Sequence, residues 1–381
     1  MPMLDRLFAR LNQEQGSDLH LIEGQPPLIR RFGQLAPIPD EPVLTHEALA
    51  TCLKEITPPA LWVKFECAGD CEFSHDVDEL AVRFRVNCFR QRLGFSAVCR
   101  SIPGPGAVAS LDELGLPAVF KDLVQLRSGL VLITGPMGSG KSTTVAAMLN
   151  TINVEQNRRI LTVEDPLEFV FKSVRSMIAQ REPGRHTLCA DTALREAARQ
   201  GCDVVFVGEL HDYDAIRVAV NLADAGLLVF GTLRSSSTMK ALDRVINCCP
   251  TVQQAWVRSM LSNCLKSVCA QMLVPKADGS GRCPVNEILI CTPGVASAIR
   301  EGYISKLGTM IQAGGADGMI VMDDALARKI EAKTITLEEA VLKASNKARF
   351  QAKAKIDPPP VTPALTPTIS SPAPNVPGAK R

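Results

Sequence analysis

The run Gly135-Pro136-Met137-Gly138-Ser139-Gly140-Lys141-Ser142 constrains this chain more than any other feature. Its Gly-x4-Gly-Lys-Ser spacing is that of a phosphate-binding loop, which works only between a buried strand and a helix. Both neighbours are present. Leu130–Thr134 is an apolar run of strand length, and Thr143 to Asn150 reads as a helix. Glycines let backbone N–H groups turn toward phosphate oxygens, and the helix N-terminus adds its positive end. The expected ligand is therefore ATP with Mg2+. Lys141 is expected to reach the β- and γ-phosphates and Ser142 to ligate the metal. Gly135, Pro136, Met137, Gly138, Ser139, Gly140 and Thr143 complete the binding set.

A phosphate loop needs an α/β sheet around it. Apolar strands stand out at Leu130–Thr134, Arg159–Val163, Val204–Val207 and Leu227–Gly231, separated by segments long enough for helices, so a mostly parallel sheet is expected. Ligands of such sheets bind at the carboxyl ends of the strands. Two strands end in carboxylates there, Glu164-Asp165-Pro166 and Gly208-Glu209. A magnesium nucleotide needs one carboxylate near the metal and another to orient or deprotonate water. Beyond residue 250 the chain reads as helical, because Val257, Met260, Leu261, Leu265 and Val268 recur at helical spacing; Leu337 to Ala344 is the last clear helix.

The N-terminal part has a different texture. Leu4, Leu7, Phe8 and Leu11 share one face of a helix over Met3 to Gln15, and Leu19–Ile22 reads as a strand closed by Gly24 and Pro26-Pro27. Val82 to Phe89 alternates apolar and polar residues, and Phe95 to Ile102 is its expected hairpin partner. Ile102-Pro103-Gly104-Pro105-Gly106 reads as a linker. The last 25 residues hold eight prolines and cannot bury a core, so a disordered tail is expected. The division is thus 1–103, a linker over 104–112, 113–356, and a tail over 357–381.

Composition excludes several classes. A net charge of +2 and 4% aromatics argue against nucleic acid as a partner. The 13 cysteines are scattered without a CxxC pair and read as buried apolar thiols in a reducing compartment. No apolar stretch has the length of a membrane span and the first residues do not read as a signal peptide, so a cytoplasmic location is expected.

Beyond the phosphate loop, a set of segments resembles the secretion-type ATPases, and among them the type IV pilus retraction ATPases. Gly16-Ser17-Asp18-Leu19-His20-Leu21 is similar to the start of that family's N-terminal domain; Arg83-Phe84-Arg85-Val86-Asn87 and Arg100-Ser101-Ile102-Pro103 are similar to its end. Thr162 to Phe169 resembles the Asp box and Gln180-Arg181-Glu182-Pro183-Gly184 the Q-R-E-V-G segment. Asp203 to Glu209 resembles the Walker B strand, and Gln271-Met272-Leu273-Val274-Pro275 continues the match.

The resemblance implies a small PAS-like α/β domain followed by a RecA-like ATPase domain. It implies a homohexamer that hydrolyses ATP to retract type IV pili, giving twitching motility, and that sits peripherally at the inner membrane on the pilus platform protein. Glu164 takes the part of general base and Glu209 supports magnesium. Arg85 and Arg100 take the part of arginines that reach the γ-phosphate. Two family histidines are replaced, by Leu227 and Arg234. The alternative is therefore a slow, nucleotide-binding accessory subunit that depends on a second retraction-type ATPase. Restoring histidine at Leu227 is expected to raise turnover more than at Arg234. The long N-terminal extensions and four-Cys insertion of the pilus assembly and type II secretion ATPases are not found in this sequence.

Overall fold

The computed structural model describes residues 3–14, 16–31, 34–77, 82–102 and 108–356. Part of the expected linker (103–107) and the whole proline-rich tail (357–381) lie outside the described residues.

The first sheet contains β1 (Asp18–Ile22), β2 (Leu28–Arg31), β3 (Gln34–Pro37), β4 (Asp70–Val77), β5 (Val82–Gln91) and β6 (Gly94–Ile102). Its order is β3-β2-β1-β6-β5-β4, with antiparallel neighbours throughout. The expected β5–β6 hairpin is present, with the register Arg85↔Arg100. Helix Met3–Gln13 buries Leu4, Leu7, Phe8 and Leu11, the residues its spacing selects. Phe8 stacks on Phe84 of β5 at 4.0 Å.

The second sheet contains β7 (Gly129–Thr134), β8 (Arg159–Val163), β9 (Met177–Arg181), β10 (Val204–Val207), β11 (Leu228–Leu233), β12 (Leu265–Pro275) and β13 (Arg282–Ile290). The order is β13-β12-β7-β11-β10-β8-β9, and only β13 runs antiparallel to its neighbour. Alternate strand residues serve opposite faces. Val131, Ile133, Phe206 and Phe230 pack in one core with Val145, Met148 and Leu149 of helix Lys141–Glu155. Leu130, Leu132, Val205 and Val229 pack in another with Ile216, Ala219 and Val220 of helix Tyr213–Asp224. This two-sided burial makes the strands read as continuous apolar runs.

Three expectations are corrected. Leu265 and Val268 are not helical: helix Thr251–Cys264 stops before them and β12 begins at Leu265. β12 pairs with β7 on one side and β13 on the other, so its buried run lacks strand alternation and continues the helical spacing by accident. Leu337–Lys343 is not the last helix, because Lys347–Ile356 follows it and Phe350 seals the core at 1% exposure. Among the thiols, all free, Cys67, Cys189 and Cys248 are exposed.

The two sheets touch through a buried ion pair. Arg83 of β5 donates to the Glu182 carboxylate at 3.0 Å, and the two residues are 9% and 7% exposed. Arg185 adds contacts to Asp76 at 3.3 Å and to the Ser74 carbonyl at 3.4 Å, both on β4. Loss of either partner of such a pair leaves an uncompensated buried charge. Glu182 immediately follows β9, beside the strand end that carries Glu164.

Candidate active site

The phosphate loop leaves the carboxyl end of β7, whose six residues are all buried. Gly138 and Gly140 take φ of +73° and +81°, a region that favours glycine. Helix Lys141–Glu155 then begins directly, so Ser142 and Thr143 sit in its first turn. Lys141 Nζ donates to the carbonyls of Gly135 at 2.9 Å and Pro136 at 3.0 Å, folding back over the loop. Burial lowers its pKa; Glu209 and Glu168 oppose that shift and Arg234 adds to it. Ser139 is 3% exposed, while Pro136, Met137 and Gly138 are at the surface.

Parallel pairing brings the other strand ends to the same edge. β8 pairs with β10, β10 with β11, and β11 with β7, all in parallel register. Glu164, just past β8, is 6% exposed, and Gly208 of the neighbouring strand end packs against it: a Cβ there would lie 3.1 Å from the Glu164 Cα. Glu164 Oε1 is buried without a hydrogen-bond partner among the described residues. Burial is the main cause that pushes its carboxyl up to about 7. Such a group is half-deprotonated near neutrality and poised for general-base work. Glu209, just past β10, accepts from Arg234 Nη2 at 2.7 Å, and Arg234 lies just past β11. The P-loop, Glu164 and Glu209 therefore share one edge, as the strand pattern required.

Leu227 does not belong to that edge. Register pairs Leu228 with Gly129 and Leu233 with Thr134, so Leu227 precedes β11 at the sheet end opposite the P-loop. Six residues of strand separate the two ends by roughly 20 Å. Leu227 is 9% exposed within the apolar core. The expectation that this position lies near the nucleotide is overturned: within the chain it faces packing, not phosphate.

Arg85 and Arg100 are direct cross-strand partners, each held by a carboxylate of its own sheet. Arg85 pairs with Glu72, and Arg100 donates to Asp18 at 2.8 Å. Burial would raise the Asp18 pKa, but the Ser17 hydroxyl and Arg100 outweigh it and hold it low. Among the described residues neither arginine bonds to the phosphate loop, Glu164 or Glu209.

Sequence reasoning missed part of the site. A cavity of about 410 Å³ opens beside Gly140 and Thr143, lined also by Glu113, Leu114, Leu273 and Arg282. Its mixed apolar and polar walls and its place at the loop suit the nucleoside end of a nucleotide. Gln271 of β12 bonds to the loop from behind, with Nε2 donating to the Ser139 carbonyl at 2.8 Å. The motif Gln271 to Pro275 was visible in the sequence, but only strand pairing shows that it touches the loop.

A family model described as type II/IV secretion system protein matches residues 3–356. The chain is 42% identical over 347 residues to the type IV pilus retraction ATPase PilT of Pseudomonas aeruginosa, covering 91% of this chain and 99% of that protein. It is 32% identical over 342 residues to the type IV pilus ATPase PilU of the same organism, covering 90% and 88% respectively. The crystal structure of the pilus retraction motor PilT with bound ADP is similar at a TM-score of 0.84 and 34% identity, covering 92% of this chain and 99% of that one.

Proposed function

The chain belongs to the type II/IV secretion system protein family, and from that premise we propose that it is an ATP-hydrolysing motor of type IV pilus retraction, working as a homohexamer at the inner-membrane pilus platform. The observation that carries the reading is the meeting of a complete phosphate loop, Glu164 and Glu209 at one sheet edge. The relatives' names supply the direction of the work. Among the described residues no helix is long and apolar enough to cross a membrane, so the reading places its membrane contact in a partner. The moving units are the domains bounded at 1–103 and 113–356.

The loop N–H groups and Lys141 bind the phosphates. The Ser142 hydroxyl and the Glu209 carboxylate are hard oxygen donors on the same edge and fit a magnesium ion, which when bound offsets phosphate charge. Glu164 takes the proton of the attacking water. Arg85 and Arg100 exchange Glu72 and Asp18 for the γ-phosphate when the N-terminal domain closes over the nucleotide. Arg85→Ala and Arg100→Ala are expected to keep ATP affinity within about threefold. Each slows turnover by about a hundredfold, the usual cost of removing one charge-stabilising donor. Wild-type turnover in both variants would make these residues surface charge.

The Arg234–Glu209 pair favours a second reading, a slow accessory subunit, because it engages the carboxylate the metal needs. The pair is half exposed on the arginine side, and an exposed pair contributes at most about 1 kcal/mol. Arg234→Ala is therefore expected to raise turnover by no more than about fivefold; a fall would show that Arg234 assists the reaction. Steady-state phosphate release by the purified chain, with Glu164→Gln as control, separates the readings. A robust rate without a second ATPase supports the independent motor, and a rate at the control level supports the accessory subunit.

A further inference from the structure

Gln271 lies one residue past the last β12 pairing with β7, Ala270↔Thr134, and so stands level with the first residue of the phosphate loop. Its side chain is 2% exposed and bonded at both amide atoms. Oε1 accepts from the Thr144 hydroxyl at 2.8 Å and from Asn286 Nδ2 at 3.0 Å, while Nε2 donates to the Ser139 carbonyl at 2.8 Å. Thr144 is 1% and Asn286 2% exposed. A reversed amide would set NH2 against NH2 at Asn286 and carbonyl against carbonyl at Ser139, so the network fixes its orientation.

The contact at Ser139 has a consequence for the neighbouring peptide group. In a trans peptide the C=O and the following N–H point in opposite directions. Gln271 holds the Ser139 carbonyl toward β12, so the Gly140 N–H of the same peptide points away from β12. The loop packs closely against β12 at this point. A Cβ on Gly140 would lie 3.1 Å from Gln271 Nε2, and one on Gly135 would lie 2.3 Å from the Gln271 backbone oxygen.

We infer that Gln271 is a positioning residue for phosphate binding: its amide sets the Ser139–Gly140 peptide so that the Gly140 N–H is presented to the β-phosphate of a bound nucleotide. The inference rests on the phosphate-site reading above and adds to it a residue 132 positions after Ser139 that acts on phosphate through the loop backbone.

The test uses the full chain with ADP and adenosine as probes, by calorimetry. Gln271→Glu keeps the acceptor for Thr144 and Asn286 and removes the donor to Ser139; Gln271→Met keeps volume and removes both functions. ADP dissociation constants are expected to rise about tenfold, the scale of one lost hydrogen bond with its geometry, and the adenosine constant by clearly less, because for adenosine only one wall of the cavity changes. An unchanged ADP constant in a folded variant overturns the inference, and so does an equal loss for ADP and adenosine, which marks general damage. Should neither variant fold, residue-resolved hydrogen exchange of the wild type decides: ADP is expected to protect the Gly140 N–H, and absence of protection overturns the inference. Wild-type protein that binds no ADP would instead remove the phosphate site itself.

Discussion

Lys141→Ala is expected to abolish nucleotide binding at concentrations that saturate the wild type, a loss of roughly a hundredfold or more in affinity. The ammonium is the one side-chain cation inside the phosphate loop, from Gly135 to Ser142. In the structure it caps the Gly135 and Pro136 carbonyls at 2.9 and 3.0 Å. Its removal costs the charge-assisted bonds to phosphate and also takes the Lys141 donor from two loop carbonyls. Helix Lys141–Glu155 begins at this residue and alanine favours helix, so the fold should persist. Calorimetric titration with ATP and ADP checks the expectation, and wild-type affinity would defeat the phosphate-site assignment.

Glu164→Gln is expected to keep ATP binding and to slow turnover by about a thousandfold, within the range for a lost general base. The same substitution has a signature in stability. Burial pushes the Glu164 carboxyl up to about 7. A group whose pKa is raised by folding contributes its stability below its unfolded pKa, and that contribution is lost as pH rises through the folded one. Wild type should therefore lose stability between about pH 5 and pH 7, by roughly 3 kcal/mol in the limit of full burial. Glutamine never ionises. Wild type and variant should show the same pH trend below pH 5, and the variant should gain relative to wild type above pH 7. Denaturation midpoints at pH 5 and pH 8 measure this. For the wild type, kcat/KM should climb through pH 7 as the base deprotonates. A flat rate profile together with wild-type turnover in the glutamine variant would move the base elsewhere.

Much of the site was legible because its rules are local. A phosphate loop is glycine-specific backbone geometry between a strand and a helix, and eight consecutive residues carry it. The placement of Glu164 and Glu209 was legible because Glu164 directly follows an apolar run of strand length and Glu209 follows one after a single glycine. The N-terminal helix and the β5–β6 hairpin followed from spacing over ten or so residues. Errors arose where local spacing carries no information about neighbours. Leu265 and Val268 continue a helical pattern across a helix-to-strand boundary that only the flanking strands enforce.

The sequence by itself determined what chemistry the chain carries: a nucleotide loop, two carboxylates at strand ends, and arginines in an N-terminal sheet. Tertiary structure alone decided which residues meet. Parallel register sends Leu227 to one end of β11 and Arg234 to the other, so two positions that look equivalent in the sequence separate into packing and the phosphate-loop edge. It lays Gln271 against the loop at Ser139, 132 residues away, and it closes Arg83 on Glu182 between the two sheets. The physical reason is that bonding rules within a segment depend on a few successive residues, whereas which strand end faces which is fixed by burying the apolar faces of all the segments at once.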